Sequence, residues 1–480
     1  MEKDMTMLER ANAFIAANKD QVNPRYRPRF HAIQPIGWIN DPNGFHFDGE
    51  YYHLFYQYYP YAAHWDSMHW GHWRSRDLVH WEDLPVAMAP DQPYDAAGCF
   101  SGTAKPDGKG GAYILYTGVS KDETEKDIQQ QCLAYFDGTR IEKCSLNPVI
   151  PFEMLPEGYA RHDFRDPCLI KVADGWRAIM AAGHKDGTRL VCCSSRDLEN
   201  WTYDGVFMPT VSLMPECPDV IELDGKTVVW YSCVEYEGEL TDNARPVVYS
   251  VGDMKDNSTR FEGSPLAVLD HGTDCYATQS CAGHDGQQIS ISWMASWNSK
   301  FPTAKLGHGW SGMMTLPRVL HLCGDRLVQQ PAPALEGARH NEVKAVQTVD
   351  AAHPAVLDVC AKHAEIQLEA EVSAARTLTL ELMRTCDEAV RLTWENDMLT
   401  LDRTTLSLCS DSGMTKTMSM PLVAKDGRIS LRVYVDACAV EVFAEGETMT
   451  ALAFPVGEDY GVAVKAEGKA DVTLTCWEIA

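Results

Sequence analysis

No stretch of this 480-residue chain comes near 18 uninterrupted apolar residues, so no membrane-spanning helix is expected. The first twenty residues, MEKDMTMLERANAFIAANKD, carry acids throughout and lack the apolar centre of an export signal. Met7, Leu8, Ala11, Phe14 and Ile15 instead recur at helical spacing and predict a short amphipathic helix. Basic residues are few: 42 against 68 acids give a net charge of −26. Such a surface repels phosphate backbones and anionic lipid, which excludes nucleic acid and membrane surfaces as partners. The 16 cysteines include no C-x-x-C pair, and Cys192 and Cys193 are adjacent. They read as reduced thiols of a cytoplasmic protein rather than as a disulfide frame or a zinc site. No glycine-rich phosphate loop, H-E-x-x-H or nucleotide fingerprint occurs, so neither metal nor organic cofactor is expected.

The sequence is rich in turns that reverse apolar strands. Asp-Gly precedes such a strand at Gly49, Gly108, Gly175, Gly225 and Gly286, at spacings of 59, 67, 50 and 61. Asp-Gly between apolar runs signals a hairpin. A repeat of roughly 60 residues made of four-stranded units is the mark of a β-propeller. Seven to ten residues before each Gly stand Asp41, Ser101, Asp166, Glu216 and Tyr276. If the strand entering each hairpin is the innermost of its blade, these five face one funnel, and three of them are carboxylates. A second repeat, Ser75-Arg76-Asp77-Leu78 with Trp81, returns 120 residues later as Ser195-Arg196-Asp197-Leu198 with Trp201. It reads as a structural turn closed by the Asp.

Past residue 328 the pattern changes. QQPAPALEGA (329–338) reads as linker, and seven or so short alternating strands follow, from EIQLEAEV to DVTLTCWEI. The expected division is a helical segment over 1–24, a five-bladed propeller over 25–335, a linker over 336–344 and a β-sandwich over 345–480. The fold class is therefore all-β, with one short N-terminal helix.

Three motifs carry a resemblance: Trp38-Ile39-Asn40-Asp41-Pro42-Asn43-Gly44, Arg165-Asp166-Pro167 and Glu216-Cys217-Pro218. With Leu54–Tyr58, His69–His72, Gly98–Gly102, Asp274–Ala277, Met314–Arg318 and Val440–Phe443, they make the chain similar to glycoside hydrolase family 32, from about residue 25 to the end. The resemblance implies a five-bladed propeller followed by a sandwich, and retaining cleavage of a fructosyl bond. It makes Asp41 the nucleophile, Glu216 the acid and base, and Asp166 the holder of the fructose hydroxyls and stabiliser of the transition state. Trp38, Asn40, Gln57, Trp65, Phe100, Ser101, Arg165 and Tyr276 then form the sugar pocket. A retaining site needs two carboxyls about 5–5.5 Å apart, one ionised and one protonated. Negative neighbours should raise the pKa of Glu216, and Arg165 should keep Asp166 ionised.

The resemblance further implies small sugars as partners: sucrose, its 6-phosphate or short fructo-oligosaccharides, with a slight lean to the phosphate. Arg25, Arg27, Arg29, Arg161, Lys300 and Lys305 are candidates to meet that phosphate, none of them assignable. Fructosyl transfer, a non-catalytic fructan-binding role and an arabinan- or xylan-cleaving propeller are the alternatives. The three acids argue against the second, and the Trp38–Gly44 motif against the third. The sequence does not speak to oligomeric state.

Overall fold

The computed structural model describes residues 5–295, 297 and 300–479; the first four residues of the expected 1–24 segment and the last residue of the sandwich lie outside it. Helix α1 (Met7–Asn18) starts at a reciprocal cap. The Thr6 hydroxyl accepts from the Glu9 N–H at 3.2 Å, and the Glu9 carboxylate accepts from the Thr6 N–H at 2.7 Å. The helix is fastened to the first sheet where Asn12 Oδ1 accepts the Val86 N–H, and where Phe14 meets the edge of Tyr61.

Five antiparallel sheets follow, each opened by one leading strand: β1 (Gly37–Phe47), β2 (Gly98–Pro106), β3 (Tyr159–Val172), β4 (Ser212–Leu223) and β5 (Tyr276–Ala282). Each leading strand packs against two others, in the closed order β1, β2, β3, β4, β5 and back to β1. That ring is the arrangement of a propeller, with the leading strands innermost. The short strand Trp310–Ser311 pairs in parallel with Gly37 and Trp38 and joins the last sheet to the first. All five Asp-Gly glycines have positive φ, as hairpin turns leaving the leading strands require. The Ser-Arg-Asp-Leu repeat is one turn used twice. Ser75 and Ser195 accept the Leu78 and Leu198 N–H groups at 2.9 Å, Asp77 and Asp197 accept two further N–H groups each, and both leucines have φ near +70°.

The second body is two packed six-stranded sheets. One runs in the order Arg339–Val349, Ala470–Ile479, His363–Glu371, Arg428–Asp436, Ala439–Ala444, Glu447–Leu452. The other opposes it with Leu378, Leu380, Leu392, Leu401 and Val464 against Ile366, Leu368, Val433 and Leu474. These twelve strands exceed the seven read from the sequence. The linker expected over 336–344 is corrected too: Ala334–Gly337 is a helical turn, and Arg339–Val349 is already a strand of the sandwich, paired from Arg339 opposite Ile479. That strand is a sheet edge, so it can carry His340, Asn341, Glu342 and Lys344 without the apolar alternation that marks a half-buried strand.

The two bodies share a buried polar seam. His31 is held between Asp436 at 2.8 Å and Glu441 at 3.0 Å. Arg318, 1% exposed, meets Asp270 at 2.8 Å and Glu441 at 2.6 Å, while Arg403 meets Asp274 at 2.6 Å. Gly272 lies against the Thr450 backbone so closely that a Cβ there would overlap the carbonyl oxygen.

Candidate active site

Each leading strand has a register shift at its chemically loaded residue. The shifts fall between Ile39 and Pro42, Cys99 and Gly102, Arg165 and Cys168, Glu216 and Asp219, and Tyr276 and Gln279. In each, three residue steps on the leading strand oppose two on its partner, which is a β-bulge. A bulge re-aims the side chain it carries, and positive φ at Asp166, Cys217 and Ala277 belongs to the same distortion.

The convergence is tight. Ser101 Oγ donates to Asp41 Oδ2 at 2.5 Å, and Cys217 Sγ lies 3.3 Å from the same oxygen. Asp41 Oδ1 is buried with no hydrogen-bond partner. Asp166 accepts the Cys217 N–H at 3.0 Å and has Cys217 Sγ at 3.7 Å, while its own N–H donates to Thr117. Glu216 takes the Arg165 guanidinium at 2.9 Å on Oε1 and the Tyr276 hydroxyl at 2.6 Å on Oε2. Arg165 also donates to Asp163 at 3.0 Å and stands 3.9 Å from Asp166.

Burial pushes the Asp41 carboxyl up, with the Ser101 hydroxyl opposing and Glu216 reinforcing. Asp166 is raised to about 7, by burial first; Arg165 pulls it down, but Glu216 and Asp41 push it up. Arg165 does pull Asp166 toward its ionised form, as expected, but burial and the two neighbouring carboxylates outweigh it, and the guanidinium's hydrogen bonds go to Glu216 and Asp163. Burial also opposes the charge of Arg165, but Glu216, Asp166 and Asp163 outweigh it and hold the guanidinium protonated.

A cavity of about 320 Å³ opens above these groups, lined by Asn40, Asp41, Gln57, Trp65, Phe100, Ser101, Arg165, Asp166 and Glu216 among the expected residues. Trp65 and Phe100 meet edge to face at 5.9 Å and form an aromatic wall. Two expected wall residues sit behind the lining. Trp38 packs on Trp293 and Trp297 and holds Asn40 through its indole N–H at 2.9 Å. Tyr276, 1% exposed, supports Glu216 from below. Sequence reasoning missed Asp127, Gln129, His162, Asp163 and Trp297, which also line the cavity. Asp163 stands two residues before Arg165 on β3, a same-face position that could have been found; Asp127 and Gln129 come from the third strand of their sheet, to which the hairpin rule does not point. The candidate phosphate ligands do not line it. Arg25 bonds the Val456 carbonyl, Arg27 that of Gln34, and Arg29 pairs with Glu478; Arg161 lies over Phe152, and Lys305 reaches the Asp411 carbonyl. Lys300 is likewise outside the lining.

Comparison with known proteins agrees with this geometry. Residues 31–331 match the Glycosyl hydrolases family 32 N-terminal domain, and residues 334–478 the Glycosyl hydrolases family 32 C terminal. A sucrose-6-phosphate hydrolase of Zymomonas mobilis is 32% identical over 463 residues, covering 91% of this chain and 87% of that protein. One from Escherichia coli is 31% identical and covers 95% of this chain and 97% of its own. Among solved structures, a Bombyx mori GH32 beta-fructofuranosidase mutant in complex with sucrose superimposes with a TM-score of 0.86 at 29% identity, over 99% of this chain and 98% of the other. The sucrose-6-phosphate hydrolase from Lactobacillus gasseri does so with a TM-score of 0.86 at 25% identity, over 100% and 97%.

Proposed function

The chain belongs to glycosyl hydrolase family 32, and from that premise we propose that it is a retaining β-fructofuranosidase, cleaving the fructosyl bond of sucrose or its 6-phosphate. One observation carries the reading: Asp41, Asp166 and Glu216, from three different leading strands, open into a single cavity and are tied together by Cys217 and Arg165.

In this reading Asp41 attacks the anomeric carbon of the fructosyl unit through Oδ1, the oxygen that accepts no hydrogen bond, while Ser101 fixes Oδ2. Glu216 donates its proton to the departing glycosidic oxygen, then takes one from the water that releases the fructosyl-enzyme. Tyr276 and Arg165 fix the two oxygens of Glu216 in place for both steps. Asp166 accepts the sugar hydroxyls. Hydroxyls donating to the carboxylate would favour the ionised form that burial disfavours. The aromatic wall of Trp65 and Phe100 offers an apolar face for a sugar ring to stack on. A reducing, cytoplasmic setting is supported by 16 free cysteines, of which Cys323, Cys360 and Cys386 are exposed.

The test is product analysis with time-resolved NMR on sucrose, sucrose-6-phosphate, kestose and inulin. Fructose should appear first as the β-anomer. Initial release of the α-anomer, or no fructose from any of the four, refutes the proposal.

A further inference from the structure

We propose that this cavity selects an uncharged partner sugar over a phosphorylated one, and that Asp127 and Asp163 impose the choice; the inference rests on the fructosidase reading above. The lining holds five carboxylates, Asp41, Asp127, Asp163, Asp166 and Glu216, against two basic side chains, Arg165 and His162. Asp41, Asp166 and Glu216 belong to the reacting end. Asp127 and Asp163 are additional, and about a third of each side chain is exposed, at 33% and 32%.

Arg165, His162 and Lys121 each already have a carboxylate partner. Arg165 is shared by Glu216 at 2.9 Å and Asp163 at 3.0 Å, and its side chain is only 12% exposed. His162 Nε2 lies 3.5 Å from Asp163. Lys121, opposite Asp127 on the neighbouring strand, pairs with it. A phosphate dianion is recognised by charge-assisted hydrogen bonds from such groups. To use any of these three it must displace a carboxylate, and then remain beside that carboxylate in a cavity where charges interact more strongly than in water. A neutral sugar meets the opposite situation. Its hydroxyls need acceptors, and Asp127 and Asp163 supply carboxylate oxygens in the same cavity as the Trp65 and Phe100 wall. The same two residues therefore attract a polyol and repel its phosphate ester, whatever the names of relatives about one-third identical.

The experiment is kcat/KM for sucrose and for sucrose-6-phosphate at low and at physiological ionic strength, for the wild type, Asp127→Asn and Asp163→Asn. The wild type should favour sucrose by about tenfold at low salt, with the gap narrowing as salt screens the rim. Asp127→Asn removes one charge and frees Lys121, so the ratio should move toward the phosphate by roughly three- to tenfold, mainly in KM. Inorganic phosphate should inhibit this variant more strongly than the wild type. That readout stays available should Asp163→Asn disturb Arg165 and lose activity on both sugars. A wild-type preference for the phosphate, equal rates at low salt, or an Asp127→Asn variant that changes both sugars alike overturns the inference while leaving the fructosidase reading intact. Failure to cleave either sugar overturns both.

Discussion

Replacing Asp166 by Asn should remove sucrose cleavage and, at the same time, stabilise the folded chain at neutral pH. The carboxyl is buried beside Asp41 and Glu216, and its pKa rises from an ordinary 3.8 to about 7. An acid raised in the folded state binds its proton more tightly there than in the unfolded chain. Its contribution is therefore fully present below about pH 4 and is lost as pH rises through about 7. A shift of about three units at 1.36 kcal/mol each sets an upper bound near 4 kcal/mol on the penalty of ionising it. Asn keeps the acceptor for the Cys217 N–H but gives up the attraction of Arg165 at 3.9 Å, so about 1–3 kcal/mol should be recovered. For a body of some 300 residues, an unfolding entropy of about 2.1 cal/mol/K per residue converts this to a rise of roughly 2–5 °C in thermal midpoint. Scanning calorimetry of both proteins from pH 4.5 to 8 is the assay. The midpoints should coincide at the acid end and separate progressively toward pH 8. A constant offset across that range, or a variant that melts lower than the wild type at pH 7.5, refutes the electrostatic account of this cluster.

Asp41→Asn should lower kcat on sucrose by several orders of magnitude, measured by glucose release, because no fructosyl-enzyme can form, and should raise the thermal midpoint at neutral pH as Asp166→Asn does, since burial pushes this carboxyl up too. Glu216→Gln should be equally poor on sucrose but keep measurable turnover of an aryl fructoside, whose leaving group needs no proton; full activity of either variant on sucrose contradicts the assignment. At the domain seam burial disfavours the charge of His31, yet Asp436 and Glu441 outweigh it and raise the pKa to about 9, so its contribution holds below about pH 6.5 and is lost as pH rises through 9. His31→Gln should lower stability at pH 7 by about 3–5 kcal/mol and flatten the fall in thermal midpoint between pH 7 and 10; an unchanged slope speaks against the linkage. Gly272→Ala should lower stability by about 1–3 kcal/mol by forcing the bodies apart at Thr450, with faster proteolysis of the 332–338 connection as the readout.

Much of this was legible because it is local. The Asp-Gly turns announce where each leading strand ends, and counting back from them reaches the five residues that converge. What the sequence could not show is how they are aimed. The bulges at Asp41, Ser101, Asp166, Glu216 and Tyr276 depend on pairing with second strands and leave no mark in an apolar pattern. The resemblance puts Tyr276 and Trp38 in the pocket, and each spends its polar atom on a site residue, Glu216 and Asn40. Arg165 does stand 3.9 Å from the acid beside it in sequence, but its hydrogen bonds go to Glu216 on β4 and to Asp163, which the Arg-Asp-Pro motif alone does not show. The edge strands of the sandwich need no alternation to be paired, but Gly461–Gly468, which lies inside its sheet, has no such reason to be missed.

The buried seam of His31, Arg318 and Arg403 with Asp270, Asp274, Asp436 and Glu441 carries a consequence for engineering and descent. Its charges are divided between the two bodies, so neither is electrically complete alone. A propeller cut free of its sandwich keeps Arg318 with only part of its counter-charge and strips His31 of both partners; the sandwich keeps Glu441 without its partners and Asp436 with His363 alone. Chimeras that join one relative's propeller to another's sandwich should express only when both halves of this charge pattern come from the same parent or are restored together, so recombination points belong within the individual sheets rather than at the connection between them.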